Sequence, residues 1–245
     1  MSRTPEVSVV IPAFNEASYI DRLLEALAKQ NFENFEVIVS DAQSKDGTKE
    51  VAESFKDKLD IKFLEAAPNG PAFGRNQGAK QALGEWLLFL DADDDIDDKE
   101  FIKKITATAA SKGWSTATAR MTTRPGEKSY STLYHYQRLL AHTSRPVASG
   151  YCILTRRELF EKSGGFNEKI QFGEDYEYVS RNGKQGFGFV TSTHYYVDPR
   201  RNNEEGFGLV WRGTLNEIYR LFRGYKHLEK QPINYEFGKH QKRGH

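Results

Sequence analysis

Apolar residues along this chain fall into two alternating patterns: short unbroken runs, and positions recurring every three or four residues. Val7-Ser8-Val9-Val10-Ile11 is a β-branched run stopped by Pro12, which predicts a first strand with a sharp exit. Ile20, Leu23, Leu24 and Leu27 follow at i, i+3, i+4 and i+7, predicting a helix with Asn15 or Ser18 as its N-cap. Glu36 to Ser40 predicts a second strand ending at Asp41. The turn-forming segment Asp41 to Thr48 then leads into a helix carrying Val51, Ala52 and Phe55 on one side. Ile61 to Leu64 predicts a third strand. After the loop Ala66 to Pro71, a short helix is expected over about Gly74–Ala82. Trp86-Leu87-Leu88-Phe89-Leu90 is apolar throughout, the pattern of a strand buried on both faces, and Phe101, Ile102, Ile105 and Ala109 mark the helix after it. Residues 1–112 therefore read β-α-β-α-β-α-β-α, which predicts an α/β fold with a Rossmann-like, mostly parallel sheet flanked by helices.

Beyond residue 112 the pattern loosens. Strands are expected at Trp114–Met121, Tyr151–Leu154 and Gly188–Val197. Helices are expected at 129–142, with Leu133, Tyr136, Leu139 and Leu140 inward, at Arg156–Ser163 and at Glu174–Asn182. Gly164-Gly165 ends the second of these in the manner of a C-terminal glycine. No repeat or low-complexity linker divides the chain, so residues 1–198 are read as one domain with a continuous core. Its halves are 1–112 and 113–198. Residues 199–245 form an extension with ten Lys or Arg against five Glu, in which, from Leu209, Trp211, Leu215, Ile218 and Phe222 recur at helical spacing and predict a helix. That amphipathic helix has two readings: packing on the domain, or peripheral contact with an anionic membrane.

The fourth strand breaks into acid. From Asp91 to Glu100 there are seven carboxylates and one lysine. Open α/β sheets bind ligands at the C-terminal ends of their strands, and clustered like charges repel unless a cation answers them. Spacing allows two readings: a hard divalent cation, Mg²⁺ or Mn²⁺, holding a phosphate-bearing substrate, or an acidic loop that starts the next helix. Asp95, Asp97 and Asp98 suit the turn and helix start; Asp91 and Asp93 are the candidate ligands.

At 245 residues, 38% hydrophobic and 28% charged, the chain has the composition of a soluble globular protein. A net charge of +1 gives no argument for nucleic acid as a partner. No stretch is apolar enough to span a membrane, no leader is read at the N-terminus, and the single cysteine, Cys152, suits a reducing compartment; a cytoplasmic location is expected. Cys152 lies among apolar neighbours and reads as a buried structural thiol. The histidines show no ligand spacing.

Three motifs are missing, and their absence narrows the chemistry. No glycine-rich dinucleotide fingerprint follows the first strand, where Pro12-Ala13-Phe14-Asn15-Glu16 stands instead; there is no GxxxxGK[ST] phosphate loop and no GxSxG elbow. What remains is a nucleotide site in which a metal does the phosphate neutralisation. Asp41 could accept an N–H from a base such as uracil, Phe14 could stack on it, and Arg75 could hold Asp91 or a phosphate. The structural alternatives are an Asx-turn at Asp41, a core position for Phe14 and a solvated helix position for Arg75.

Val7–Glu16 (VSVVIPAFNE), Val37–Thr48 (VIVSDAQSKDGT), Gly74–Gly78 (GRNQG), Gly84–Asp94 (GEWLLFLDADD) and Gly164–Asp175 (GGFNEKIQFGED) occur in this order. Together they resemble the family 2 glycosyltransferases over about residues 6–180. The resemblance implies the GT-A fold, a nucleotide-sugar-binding half merged with an acceptor-side half, and sugar transfer with inversion at the anomeric carbon. It implies that Pro12, Phe14 and Glu16 line the nucleoside pocket and that Asp41 contacts the base. Arg75 would lie near the diphosphate and the acidic motif. Asp91 and Asp93 match the DxD motif, Asp91 toward ribose or metal and Asp93 as direct metal ligand, and Asp175 matches the catalytic base. The chain departs from the common pattern at Asp41-Ala42-Gln43-Ser44, where Asp-Asp-Gly-Ser is frequent, and at Gly74, where alanine is common.

The expected function is a metal-dependent, inverting glycosyltransferase. It would take a UDP- or GDP-sugar donor and a glycan or lipid-linked acceptor, in cell-surface glycan or glycolipid synthesis. Two other readings stand beside it. A sugar nucleotidylyltransferase would want a glycine-rich basic loop after the first strand; an inactive binding or scaffold module would not need Asp41, Asp91, Asp93 and Asp175 together.

Overall fold

A computed structural model describes residues 4–127, 131–141, 143, 146–198, 224, 225 and 229. In chain order the elements are β1 (Val7–Ala13), α1 (Ile20–Ala28), β2 (Phe35–Asp41), α2 (Thr48–Glu53), β3 (Ile61–Glu65), α3 (Pro71–Lys80), β4 (Trp86–Leu90) and α4 (Phe101–Ser111), then β5 (Thr116–Thr122), α5 (Ser131–Leu140), β6 (Cys152–Arg156), α6 (Arg157–Ser163), α7 (Glu174–Asn182) and β7 (Phe187–Tyr196). Seven strands form one sheet in the order β3-β2-β1-β4-β6-β5-β7. The first four strands are parallel, β6 runs antiparallel to both β4 and β5, and β7 returns parallel to β5. The expected mostly parallel, helix-flanked sheet is the observed one.

Burial explains the apolar runs. All five residues of β4 are buried, whereas β3, at the sheet edge, keeps Lys62 and Glu65 exposed. One face of the sheet packs Leu88, Leu90, Ala117, Val190 and Tyr195 with the buried stripes of α1 and α4. The other face packs Val10, Ile38, Phe89 and Ile153 with Phe160, Phe166 and Tyr178. Both halves of the chain contribute to both layers, so the core is continuous.

Several boundaries differ from expectation for identifiable reasons. Pro12 lies inside β1 opposite Ser40, and the strand closes one residue later, where the Ala42 N–H bonds the Ala13 carbonyl. The N-cap of α1 is Tyr19, without a side-chain cap; Asn15, at φ 54°, instead accepts the Lys45 N–H. Pro71, which lacks an N–H and suits a first helical turn, starts α3 three residues earlier than expected. In α5, Leu139 is 74% exposed rather than inward; Tyr134 and Gln137 are the buried positions, Tyr134 packing edge-on against Phe189 and Gln137 bonding Ser149. Gly164 ends α6 in the left-handed conformation, as expected. Cys152 is fully buried, and burial pushes its thiol up to about 12. The helix expected from Leu209 lies outside the described residues.

Close packing of helix α3 on the sheet is what places an arginine at the sheet's C-terminal edge. A Cβ on Gly78 would stand 2.5 Å from Val10 Cγ1, and one on Gly74 would stand 3.2 Å from Pro12 Cβ. These glycines let the helix press onto β1 and bring Arg75, between them, to that edge.

Candidate active site

The loops leaving β1 and β2 are fastened together at the C-terminal edge. Asn15 N–H donates to Ser44 Oγ at 2.7 Å, Glu16 N–H to Thr48 Oγ1 at 2.9 Å, and Ala17 N–H to Asp46 Oδ2 at 3.0 Å. Asp41 is buried at the end of β2, where it accepts the N–H of Ser44, three residues on, with Oδ2 and the Ser44 hydroxyl with Oδ1. Ser44, retained in the altered Asp41-Ala42-Gln43-Ser44 stretch, thus orients the carboxylate. Gln43 takes the left-handed conformation that glycine would otherwise favour. Pro12, Phe14 and Glu16 are half-buried on the rim of the same loops.

At the end of β4 the acidic run divides into distinct environments. Asp91 keeps 26% of its side chain exposed and accepts from Arg75 Nη2 at 2.8 Å. Asp93 is half-buried, with its carbonyl held by Arg22 Nη2 at 3.1 Å. Asp94 is fully buried; its Oδ2 accepts the Asp91 N–H at 2.9 Å, and its Oδ1 has no hydrogen-bond partner among the described residues. Burial first, then the charges of Asp91 and Asp93, raise the Asp94 carboxyl well above the ordinary range. Asp95 pairs with Arg124, whose guanidinium also lies 4.4 Å from the Tyr196 ring centre. Asp98 accepts the Glu100 N–H in the turn ahead of α4, but the N-cap is Glu100 without a side-chain cap, so neither Asp97 nor Asp98 caps that helix.

Arg75 is 3% exposed and reaches across the molecule: Nη1 donates to Glu174 Oε1 at 2.7 Å while Nη2 holds Asp91. Burial opposes its charge, but Asp91, then Glu174 and Asp175, hold the guanidinium charged above its ordinary range. Glu174 is buried in this pair. The neighbouring Asp175 is half-buried and takes different partners: the Gly150 N–H at 2.5 Å on Oδ2 and the Tyr176 N–H at 2.8 Å on Oδ1. Burial, followed by the Glu174 charge, pushes the Asp175 carboxyl up to about 7, against the lowering pull of Arg75.

Arg75, Asp91 and Asp175 therefore meet at one place, and Asp41, Phe14 and Glu16 stand along the same sheet edge. Several supporting residues escaped sequence reasoning. Asn76, next to Arg75 and turned about 100° from it, donates to the Phe166 carbonyl and accepts the Phe166 N–H, both at 2.9 Å. The Gly74–Gly78 stretch thereby anchors the Gly164–Asp175 stretch. The joint presence of the two motifs was the available signal. Asp94 lay hidden in an acidic run, and nothing in the sequence marked it as the buried member.

Among the described residues no group of three or more acidic, histidine or cysteine side chains is arranged to hold a metal unaided. No described helix is long and apolar enough to cross a membrane.

The sequence model described as glycosyl transferase family 2 matches residues 8–164. Poly(ribitol-phosphate) beta-N-acetylglucosaminyltransferase TarS of Staphylococcus aureus is 44% identical over 104 residues, 41% of this chain and 18% of TarS. Glycosyltransferase AglE of Haloferax volcanii is 30% identical over 196 residues, 76% of this chain and 64% of AglE. The crystal structure of S. aureus TarS residues 1–349 with UDP-GlcNAc superposes with a TM-score of 0.67 at 28% identity, covering 78% of this chain and 58% of that one. The mannosyltransferase PcManGT of Pyrobaculum calidifontis, solved with GDP-Man and Mn²⁺, gives a TM-score of 0.67 at 22% identity over 80% of this chain and 57% of that one, a likeness of fold. The chain spans less than two thirds of each of these proteins.

Proposed function

The chain belongs to glycosyl transferase family 2, and on that premise we propose that it is a metal-dependent, inverting transferase. It moves a sugar from a UDP- or GDP-sugar to the hydroxyl of a glycan or lipid-linked acceptor. The observation that carries this reading is the buried Arg75, bonded on one side to Asp91 at the end of β4 and on the other to Glu174, the neighbour of Asp175. The UDP-GlcNAc complex of TarS supports a nucleotide-sugar donor. The poly(ribitol-phosphate) acceptor named for TarS, and the undecaprenol-linked glycan named for a Campylobacter jejuni beta-1,3-glucosyltransferase 37% identical over 95 residues, support a polymer or a lipid-linked glycan as acceptor.

On the donor side, Pro12, Phe14 and Glu16 line the nucleoside pocket and Asp41 accepts an N–H from the base. The Ser44 bonds occupy one site on each Asp41 oxygen, and a carboxylate has about four, so acceptor capacity remains. Asp91 and Asp93 would be the metal ligands, with Asp91 also toward ribose, and Arg75 holds Asp91 in place. These residues suit Mg²⁺ or Mn²⁺. The donor set is all oxygen, Asp91 is open to solvent on one side, and such ions are commonly held by one or two carboxylates plus substrate phosphates rather than a protein cage. When bound, the cation neutralises the departing diphosphate as a Lewis acid.

The chain's own groups carry the remaining chemistry. The acceptor hydroxyl gives its proton to the Asp175 carboxylate as its oxygen attacks C1 from the face opposite the diphosphate. The C1–O bond to phosphate breaks and its electron pair leaves with the nucleoside diphosphate. One displacement inverts C1 and needs no covalent nucleophile. Glu174 stays with Arg75 and leaves Asp175 to the acceptor.

Residues 1–198 are read as the catalytic domain, with donor half 1–112 and acceptor-side half 113–198. For the basic extension 199–245 the two readings stand side by side: packing on the domain, or peripheral contact with an anionic membrane face. The deciding experiment incubates the chain with Mn²⁺ and a panel of UDP- and GDP-sugars and follows nucleotide release, with and without glycan or lipid-linked acceptors. Release from at least one donor that Asp175→Asn abolishes is the expected result; no release from any donor contradicts the proposal.

A further inference from the structure

The charge of Arg75 is divided between two parts of the site. Nη2 lies 2.8 Å from Asp91 Oδ1, Nη1 lies 2.7 Å from Glu174 Oε1, and buried Nε has no hydrogen-bond partner among the described residues. Gly150 closes this arrangement from behind. A Cβ there would stand 2.7 Å from Arg75 Nη2 and 3.2 Å from Asp175 Cβ, while the Gly150 N–H bonds Asp175 Oδ2. A buried cation shared between anions interacts most strongly with the one least answered by other charges, because little solvent screens the choice.

We propose that Arg75 and Glu174 are positioning residues that tie donor loading to Asp175: a cation-bound nucleoside diphosphate engaging Asp91 leaves Arg75 to commit its charge to the Glu174–Asp175 pair. This rests on the roles given to Asp91 and Asp175 above. The groups facing Asp175 are Glu174 on its own helix, Arg75 from α3, and the N–H groups of Gly150 and Tyr176; Asp91 acts on it through Arg75. Glu174 disfavours the ionised form of Asp175 and Arg75 favours it. A firmer hold by Arg75 therefore converts more of the Asp175 carboxyl to carboxylate, the form that accepts the acceptor's proton. The O–H bond of the carboxyl breaks and the proton passes to solvent. Burial and the Glu174 charge push the Asp175 carboxyl up to about 7, so donor binding near neutral pH is expected to release a fraction of a proton.

Calorimetric titration of the full chain at pH 7 with UDP plus Mn²⁺, and separately GDP plus Mn²⁺, in two buffers of different ionisation enthalpy counts that release. Release is expected from the native chain and none from Asp175→Asn, which still binds the nucleotide. In Glu174→Gln the release falls by more than half, and the acidic limb of the pH–rate profile moves down by about one pH unit. In Arg75→Lys, a point charge unable to fork to both carboxylates, the protons released per nucleotide bound fall toward zero. Binding without proton release, or release unchanged in both Glu174→Gln and Arg75→Lys, overturns the coupling and leaves the transferase reading standing. No binding of either nucleotide overturns both.

Discussion

Glu174 and Asp175 are neighbours in sequence, yet helical geometry turns them to different partners, Arg75 for one and the Gly150 N–H for the other. That division predicts that Asp175→Asn retains nucleotide binding and lowers transfer by about 10³-fold in a steady-state assay; an unchanged rate removes Asp175 from the base role. The same carboxyl has a stability consequence. Its folded-state value is raised to about 7 from 3.8, so the stability it contributes is fully present below about pH 4 and lost as pH rises through 7. Asp175→Asn should therefore raise the thermal midpoint at pH 8 and not at pH 4, and equal effects at both would contradict the assignment. Cys152 provides a third residue-scale test. Its buried thiol, held up to about 12, should alkylate with iodoacetamide only after unfolding. At this scale the sequence made Asp91, Asp93, Arg75 and Asp175 legible as candidates, because their motifs are spaced along the chain in a recognisable order. It could not single out Asp94, since burial within an acidic run depends on which side of the turn meets the core.

The element that sets the site is α3, and its small residues act through distance. Gly78→Ala puts a methyl where Val10 Cγ1 already stands at 2.5 Å. The helix must lift from β1, at a cost of about 1–3 kcal/mol in urea unfolding, and Arg75 moves with it. An unchanged urea midpoint would show that the close packing is not required. Strands and helices up to α4 were legible because buried runs and helical stripes alternate there without interruption. After Ser111 the antiparallel β6 and the bulge of β7 against β5 near Ala119 break that regularity, and no local pattern announces them. Leu139 illustrates the limit: helical spacing placed it inward, but contacts of Tyr134 and Gln137 fix the rotation of α5 and leave Leu139 outside.

Across the whole molecule, the site exists because one sheet brings together groups far apart in sequence. Arg75 meets Glu174 across 99 positions, and Asn76 meets Phe166 across 90. Such pairings depend on the strand order, in which β6 from the second half lies directly beside β4; the sequence showed the participants but not their meeting. The basic extension after Asp198 belongs to this scale too. If it contacts anionic lipid, the chain should co-sediment with phosphatidylglycerol vesicles at low salt and lose that association when residues 199–245 are removed; salt-insensitive or undiminished association contradicts the membrane role. The donor site is the central claim, and its most direct test is a calorimetric titration of UDP and of GDP with and without Mn²⁺. The native chain should bind one of them at least about tenfold more tightly with Mn²⁺, and Asp93→Ala should lose that gain. Binding of neither nucleotide, or binding that Mn²⁺ leaves unchanged, would contradict it.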